Sequence, residues 1–179
     1  FIGMVYTFIK LPQSLVRYLV QMIVGFKYTL HVDGLKHIKA DKGILLLGNH
    51  VSFLDWAILQ MGYPSQIRFV IDRAYYEKWY TKPFLDFFGV IPISSRGSKS
   101  ALLKVTEALK RGETVALFPE GHLSRNGHLG VFQRGFEVAT KEVEDAVIIP
   151  FYLRGLWEDD FSHASKKMKQ NKSKDISVS

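Results

Sequence analysis

Past residue 27 the chain alternates short apolar runs with stretches whose apolar residues recur every three or four positions. YTLHVDG (28–34) and GILLLGN (43–49) read as strands closed by turn residues, and FLDWAILQMG (53–62) as a helix that stops at Gly62 before Pro64. IRFVID (67–72) is strand-like, residues 74–88 form an aromatic-rich helical region, and GVIPIS (89–94) is a short strand at an edge, because Pro92 cannot donate to a ladder. SKSALLKVTEALKRG (98–112) is the clearest helix, with Ser98 as N-cap and Gly112 as stop. TVALFPEG (114–121) is a buried strand that runs into a loop. RGFEVATKEVED (134–145) is a helix and AVIIPFYLRG (146–155) a final strand. This alternation predicts an α/β fold, a largely parallel central sheet flanked by helices. DISVS (175–179) looks like the opening of one more strand.

The first 27 residues differ from this pattern. FIGMVYTFIKLPQSLVRYLVQMIVGFK is almost wholly apolar, with Lys10, Arg17 and Lys27 as its charges. No run of about 18 uncharged apolar residues exists and Pro12 interrupts the segment, so neither a simple transmembrane helix nor a cleaved signal peptide is expected. From Pro12 onward Leu15, Tyr18, Leu19, Met22, Ile23 and Phe26 fall at helical spacing. Such a helix packs on the core or docks on a membrane, with Arg17 and Lys27 reaching the headgroups. Three units follow: a helical membrane-associated arm (1–27), the α/β domain (28–161) and a basic tail or inter-module linker (162–179).

Composition sharpens that division. The 179 residues are 47% hydrophobic and 23% charged, which excludes wholesale disorder. The chain has no Cys, which excludes a disulfide scaffold, a thiol nucleophile and a Cys-based zinc site. The formal charge of +7 is unevenly placed. Residues 1–40 set five basic side chains against Asp33, residues 162–179 set five lysines against Asp175, and the body between them is nearly neutral. Basic ends on a neutral body suit an anionic partner. The aromatic stretch 75–88 is expected to be mostly core, with some rings lining a groove or entering a membrane interface.

Three polar clusters fall just beyond apolar strands, where open α/β sheets carry their function. Asn49-His50-Val51-Ser52-Phe53-Leu54-Asp55 places His50 at a strand end and Asp55 in a first helical turn. A loop can fold that carboxylate onto the imidazole, fixing its tautomer and leaving the other nitrogen as a base; a helix cap beside a structural His is the alternative. Phe118-Pro119-Glu120-Gly121-His122-Leu123-Ser124-Arg125 forms a turn that offers a carboxylate and backbone N–H groups to one cleft. Ile93-Ser94-Ser95-Arg96-Gly97 sets a guanidinium before a helix.

In this order, NHVSFLD (49–55), GVIPISSR (89–96), FPEGHLSR (118–125) and VIIPFYLRG (147–155) resemble the glycerophosphate/lysophosphatidate acyltransferase family of the PlsC type. The resemblance covers roughly residues 28–156. One departure is visible: the common form FPEGTRS has Thr and Arg where this chain has His122 and Leu123, and the basic residue is displaced to Arg125. YLRGLWEDDFS (152–162) and the lysines after it look like the acyltransferase modules of bacterial fusion proteins. In those, a lysophospholipid transporter and an acyl-carrier-protein synthetase are neighbouring modules.

The resemblance implies acyl transfer from an acyl-carrier-protein or acyl-CoA thioester to a glycerol hydroxyl of a lysophospholipid, lysophosphatidate or 2-acyl-lysophosphatidylethanolamine, with no cofactor and no metal. His50 would be the base and Asp55 its orienting partner. Arg96, Ser95, Glu120, Gly121 and Arg125 would hold the phosphoglycerol head, and N–H groups near the His50 loop or Gly121 would meet the oxyanion. The implied location is the cytoplasmic face of the bacterial inner membrane, peripheral or as a domain of a membrane protein, and nucleic acid drops out as a partner. Three alternatives remain. A serine hydrolase would use Ser52 or Ser124, but no G-x-S-x-G elbow exists. A metal hydrolase would use His50, His122 and His128, without H-E-x-x-H. The third is a non-catalytic lysophospholipid-binding module.

Overall fold

The computed structural model describes residues 13–35, 38, 42–94, 96–157, 162–164 and 175–179. Its centre is β2 (Ile44–Gly48), whose five residues are all buried. β5 (Thr114–Leu117) pairs with β2 on one side and β6 (Val147–Phe151) on the other, both parallel. β3 (Ile67–Asp72) and β4 (Ile91–Ile93) extend the sheet beyond β5, giving the order β4-β3-β5-β2-β6 with every pair parallel. A parallel sheet is covered on both faces, which is why its inner strands read as unbroken apolar runs.

Alternation along β2 assigns the two faces. Leu45 and Leu47 point to one cluster, completed by Val105, Ala108 and Leu109 of α5 (Ser98–Lys110) and Ala139 of α6 (Gly135–Thr140). Ile44 and Leu46 point to the other, with Ile58 and Leu59 of α2 (Asp55–Gly62). That cluster also takes Val24 of α1 (Gln13–Lys27). Among the described helices none is long and apolar enough to cross a membrane. Tyr18, Leu19, Met22 and Phe26 of α1 are exposed, so this helix does not bury its whole apolar stripe on the domain. Residues 1–12 lie outside the described residues.

Several expectations need correction. The run 146–155 is two strands, because the chain leaves the main sheet after Phe151 and Leu153–Arg154 (β7) enters a second sheet. In that sheet β8 (Asp175–Val178) lies between β7, antiparallel, and β1 (Thr29–Val32), parallel. Ile176 and Val178 are 0% exposed within the core, so the end of the basic segment is part of the fold rather than of a detached tail. The helix expected over 134–145 stops at Thr140, whose hydroxyl donates to the Phe136 carbonyl. The N-cap of α5 is Gly97, without a side-chain cap bond, and Ser98 is the first helical residue. The aromatic stretch is less buried than expected: α3 (Arg73–Tyr76) and α4 (Lys82–Phe87) contain no fully buried residue, Tyr76 and Phe88 pack half-buried against the core, and Tyr75, Trp79 and Tyr80 are exposed.

Because β8 closes the core from the far end of the chain, Ile176→Ala should destabilise the whole domain by about 2–5 kcal/mol. Urea unfolding followed by far-UV circular dichroism measures it; unchanged stability would show that β8 is not part of the cooperative unit.

Candidate active site

The loop leaving β2 makes the site. Side chains tie down the turn ahead of α2: the Ser52 Oγ accepts from Leu54 N–H at 3.2 Å and Asp55 Oδ2 accepts from Ser52 N–H at 3.1 Å. The same Oδ2 also accepts from Val51 N–H at 2.8 Å and meets His50 Nδ1 at 2.8 Å. Asp55 is 0% exposed, and its Oδ1 has no hydrogen-bond partner. Burial pushes its carboxyl above the usual carboxylate range, against the pull of His50 and of the Ser52 and Val51 amides.

The His50 ring stacks on Phe118, 4.2 Å between centroids and 15° from parallel. With Nδ1 committed to Asp55, Nε2 is the nitrogen left for chemistry, and His50 lines a cleft of about 1190 Å³. The His50 backbone is pinned as well. Its N–H donates to Glu120 Oε1 at 3.0 Å, and its carbonyl accepts from Ser124 N–H at 2.7 Å. Asn49, the loop-shaping residue of the motif, bonds Leu153 of β7 twice, donating to its carbonyl at 2.9 Å and accepting its N–H at 2.7 Å. Gly48 allows the approach of Phe151, whose ring would lie 2.2 Å from a Cβ at that position.

Among the expected binding residues the picture divides. Glu120 is buried, with Oε1 on His50 N–H and Oε2 on Gly130 N–H at 2.9 Å. Each oxygen accepts one backbone N–H, so Glu120 ties two loops together at the cleft wall that it also lines. Gly121 adopts φ +72°, a conformation that favours glycine, and its N–H closes a turn onto the Phe118 carbonyl at 3.1 Å. The N–H groups of His50, Val51, Ser52 and Gly121 are therefore all engaged within the protein. Arg125 lines the cleft. Arg96 is exposed at its rim, between Ser94 and Ser98, which do line it. Ser95 lies outside the described residues.

Sequence reasoning missed three participants. Arg134, 3.6 Å from the Glu137 carboxylate, also lines the cleft, but no spacing marks it out from other basic residues. Gly130 matters because a Cβ there would stand 2.7 Å from Glu120 Oε2. Phe118 read as the end of a strand rather than as the platform under the imidazole. The serine alternatives fare poorly. Ser52 is 0% exposed with its Oγ under Leu54 N–H, while the buried Ser124 hydroxyl donates to the His128 carbonyl. Neither hydroxyl is bonded to His50.

The far part of the cleft is apolar, walled by Trp56 and Met61 of α2, Phe69 of β3 and Phe84, Leu85 and Phe88 around α4. A cleft with one polar, basic end and one apolar end suits an amphipathic substrate. An imidazole held by a buried carboxylate, at the carboxyl edge of a parallel sheet and open to such a cleft, is an arrangement that suits a general base. The chain belongs to the acyltransferase family, whose model, described as Acyltransferase, matches residues 29–154.

It is similar to the chloroplastic 1-acyl-sn-glycerol-3-phosphate acyltransferase LPAT1 of Arabidopsis thaliana, 30% identical over 72% of this chain and 36% of that protein. It is also similar to the 1-acyl-sn-glycerol-3-phosphate acyltransferase of Borreliella burgdorferi, 24% identical over 58% of this chain and 43% of that one. The chain thus spans less than half the length of these curated relatives. The crystal structure of PlsC, the 1-acyl-sn-glycerophosphate acyltransferase of Thermotoga maritima, shares the fold. Its TM-score is 0.63 at 18% identity, covering 99% of this chain and 75% of that one.

Because burial already disfavours the charged form, Asp55→Asn removes a cost that ionised Asp55 carries at neutral pH. A carboxyl whose folded pKa is raised stabilises the fold only below that pKa and loses the contribution as pH rises; the amide is neutral throughout. The variant should therefore melt at or above the wild-type temperature at neutral pH while losing about 10²–10⁴-fold in turnover. A large fall in melting temperature would contradict this. Glu120→Gln instead turns an amide N–H₂ toward one backbone N–H, and should cost about 1–3 kcal/mol in urea unfolding along with activity.

Proposed function

We propose that the protein transfers a fatty acyl group from an acyl thioester, of acyl-carrier protein or CoA, to the free glycerol hydroxyl of a lysophospholipid. The observation that carries this reading is the bond of 2.8 Å between His50 Nδ1 and the buried Asp55, with the other ring nitrogen left to a cleft that is apolar along most of its wall. His50 Nε2 takes the hydroxyl proton as the oxygen attacks the thioester carbonyl. Asp55 stabilises the imidazolium. When the tetrahedral intermediate collapses, the carbon–sulfur bond breaks and the departing thiolate recovers the proton from His50. The thioester is already activated, so the step needs no covalent acyl-enzyme and no cofactor.

The acceptor class in the relatives' names, a 1-acylglycerol 3-phosphate, fits the basic end of this cleft. Arg125 and Arg134 line it and suit a phosphate monoester, with Arg96 at the rim as a third contact. Glu120 and Gly121 serve the headgroup indirectly, by fixing the loop that carries Arg125. The α1 arm, with Tyr18, Met22 and Phe26 exposed, docks the enzyme on the cytoplasmic face of the membrane that supplies the acceptor.

A mass-spectrometric assay crossing both donors with lysophosphatidate and lysophosphatidylethanolamine tests the function directly. His50→Ala should abolish transfer in every pairing with the fold intact, and substantial residual turnover would sink the mechanism. Arg125→Ala and Arg134→Ala should each raise the KM for lysophosphatidate by about tenfold, the loss of one charge-assisted hydrogen bond, with a smaller change in kcat. Binding of lysophospholipid without turnover, whatever the donor, would favour the non-catalytic lipid-binding module.

A further inference from the structure

The aromatic hairpin α3–α4 carries a surface that the chemistry above leaves unused. Trp79 is 69% exposed and Tyr80 54%, and Tyr75 and Phe53 are also exposed. These rings are continuous rather than scattered. Phe53, three residues from His50, meets Tyr75 edge-on at 5.8 Å. Lys78 Nζ lies 4.6 Å from the Tyr75 ring centroid and 5.9 Å from that of Tyr80, and Tyr80 meets Trp79 at 5.8 Å. Phe53 and Tyr75 line the cleft, whereas Trp79 and Tyr80 do not. The band therefore runs from the wall of the active-site cleft out onto the surface.

We propose that this band, Phe53–Tyr75–Lys78–Tyr80–Trp79, is a membrane-insertion surface that seats the cleft mouth in the interface of an anionic bilayer. It rests on the acyl-transfer reading only for its purpose; the contact itself stands on the exposed rings. Trp and Tyr favour the headgroup layer, where an apolar ring and a polar edge are both satisfied. A lysine stem beside them can place its ammonium among phosphates. The charge pattern selects lipid over an acidic protein partner. Arg73 pairs with Glu77 and Lys82 with Asp86, leaving Lys78 as the one cation of residues 73–88 without an acidic partner among the described residues. A net charge of +1 over that segment gives little attraction to an acidic protein, whereas four exposed aromatic rings suit a lipid interface. The position also has a use: an acyl chain leaving the bilayer beside Phe53 and Tyr75 enters the apolar cleft without crossing water.

The test uses the full chain and the double variant Trp79→Ser/Tyr80→Ser, neither position lying in the cleft. Flotation with vesicles of equal parts phosphatidylglycerol and phosphatidylcholine is compared with two turnover assays. One presents long-chain lysophosphatidate in those vesicles, and the other a short-chain monomeric acceptor with acyl-CoA in solution. Vesicle binding and vesicle turnover should fall by about tenfold, because bound fraction follows buried apolar area, while soluble turnover stays at wild-type level. Wild-type flotation and vesicle turnover in the variant would overturn the proposal. So would a selective loss of soluble turnover with an acyl-carrier-protein donor, which would make the band a protein-docking site. If the wild-type chain acylates no acceptor, the acyl-transfer reading fails, and flotation alone still decides the surface. Should the double variant melt early, Lys78→Glu replaces it: it should weaken binding to the anionic vesicles and leave binding to pure phosphatidylcholine unchanged, and equal binding to both would count against the proposal.

Discussion

A single carboxylate oxygen, Asp55 Oδ2, receives the Val51 and Ser52 N–H groups and the His50 ring nitrogen, on a carboxyl group that is itself closed to water. Three donors on one atom leave the loop little freedom, since shifting any of them exposes an unpaired buried group. The carboxylate is costly where it sits, and the cost shows in the direction of its pKa. That cost is intelligible as the means of orienting a base. An Asp at this depth adds little to the fold, but it fixes which face of the imidazole meets the substrate.

The remainder of the domain supports that turn. β2 brings the loop to the carboxyl edge of the sheet, Asn49 ties it to the second sheet, and Glu120 and Ser124 clamp the His50 backbone from the loop after β5. The two motifs NHVSFLD and FPEGHLSR, about 70 residues apart, thus meet as one hydrogen-bonded unit. The Pro-Glu-Gly turn thus serves the His50 loop directly: its carboxylate accepts backbone amides from that loop and from Gly130.

Much of this was legible from residue order alone. The unbroken apolar runs ILLLG and TVAL announced inner strands of a parallel sheet, and His50 at a strand end with Asp55 in the next helical turn let a loop fold the carboxylate back on the imidazole. What escaped reading depended on contacts distant in sequence. Nothing local tells that Phe151 ends one strand and Leu153 begins another in a different sheet, or that Ile176 returns to pair with Leu30. The partners of Glu120 at His50 and Gly130 escaped for the same reason, since they appear only when the loops meet. The aromatic stretch misled because rings serve core and interface equally well, and exposure decides between them. Arg134 carried no signal: it was one basic residue among many.

The central claim is that Asp55 holds the Nδ1–H tautomer of His50, leaving Nε2 free to accept a proton. Nitrogen NMR of protein with isotopically labelled histidine, assigned by comparison with the His50→Ala variant, reports it directly. For the neutral His50 ring the account predicts a protonated, strongly hydrogen-bonded Nδ1 and an unprotonated Nε2. An Nε2–H tautomer would contradict it, because the nitrogen open to the cleft would then have no lone pair to take the acceptor's proton.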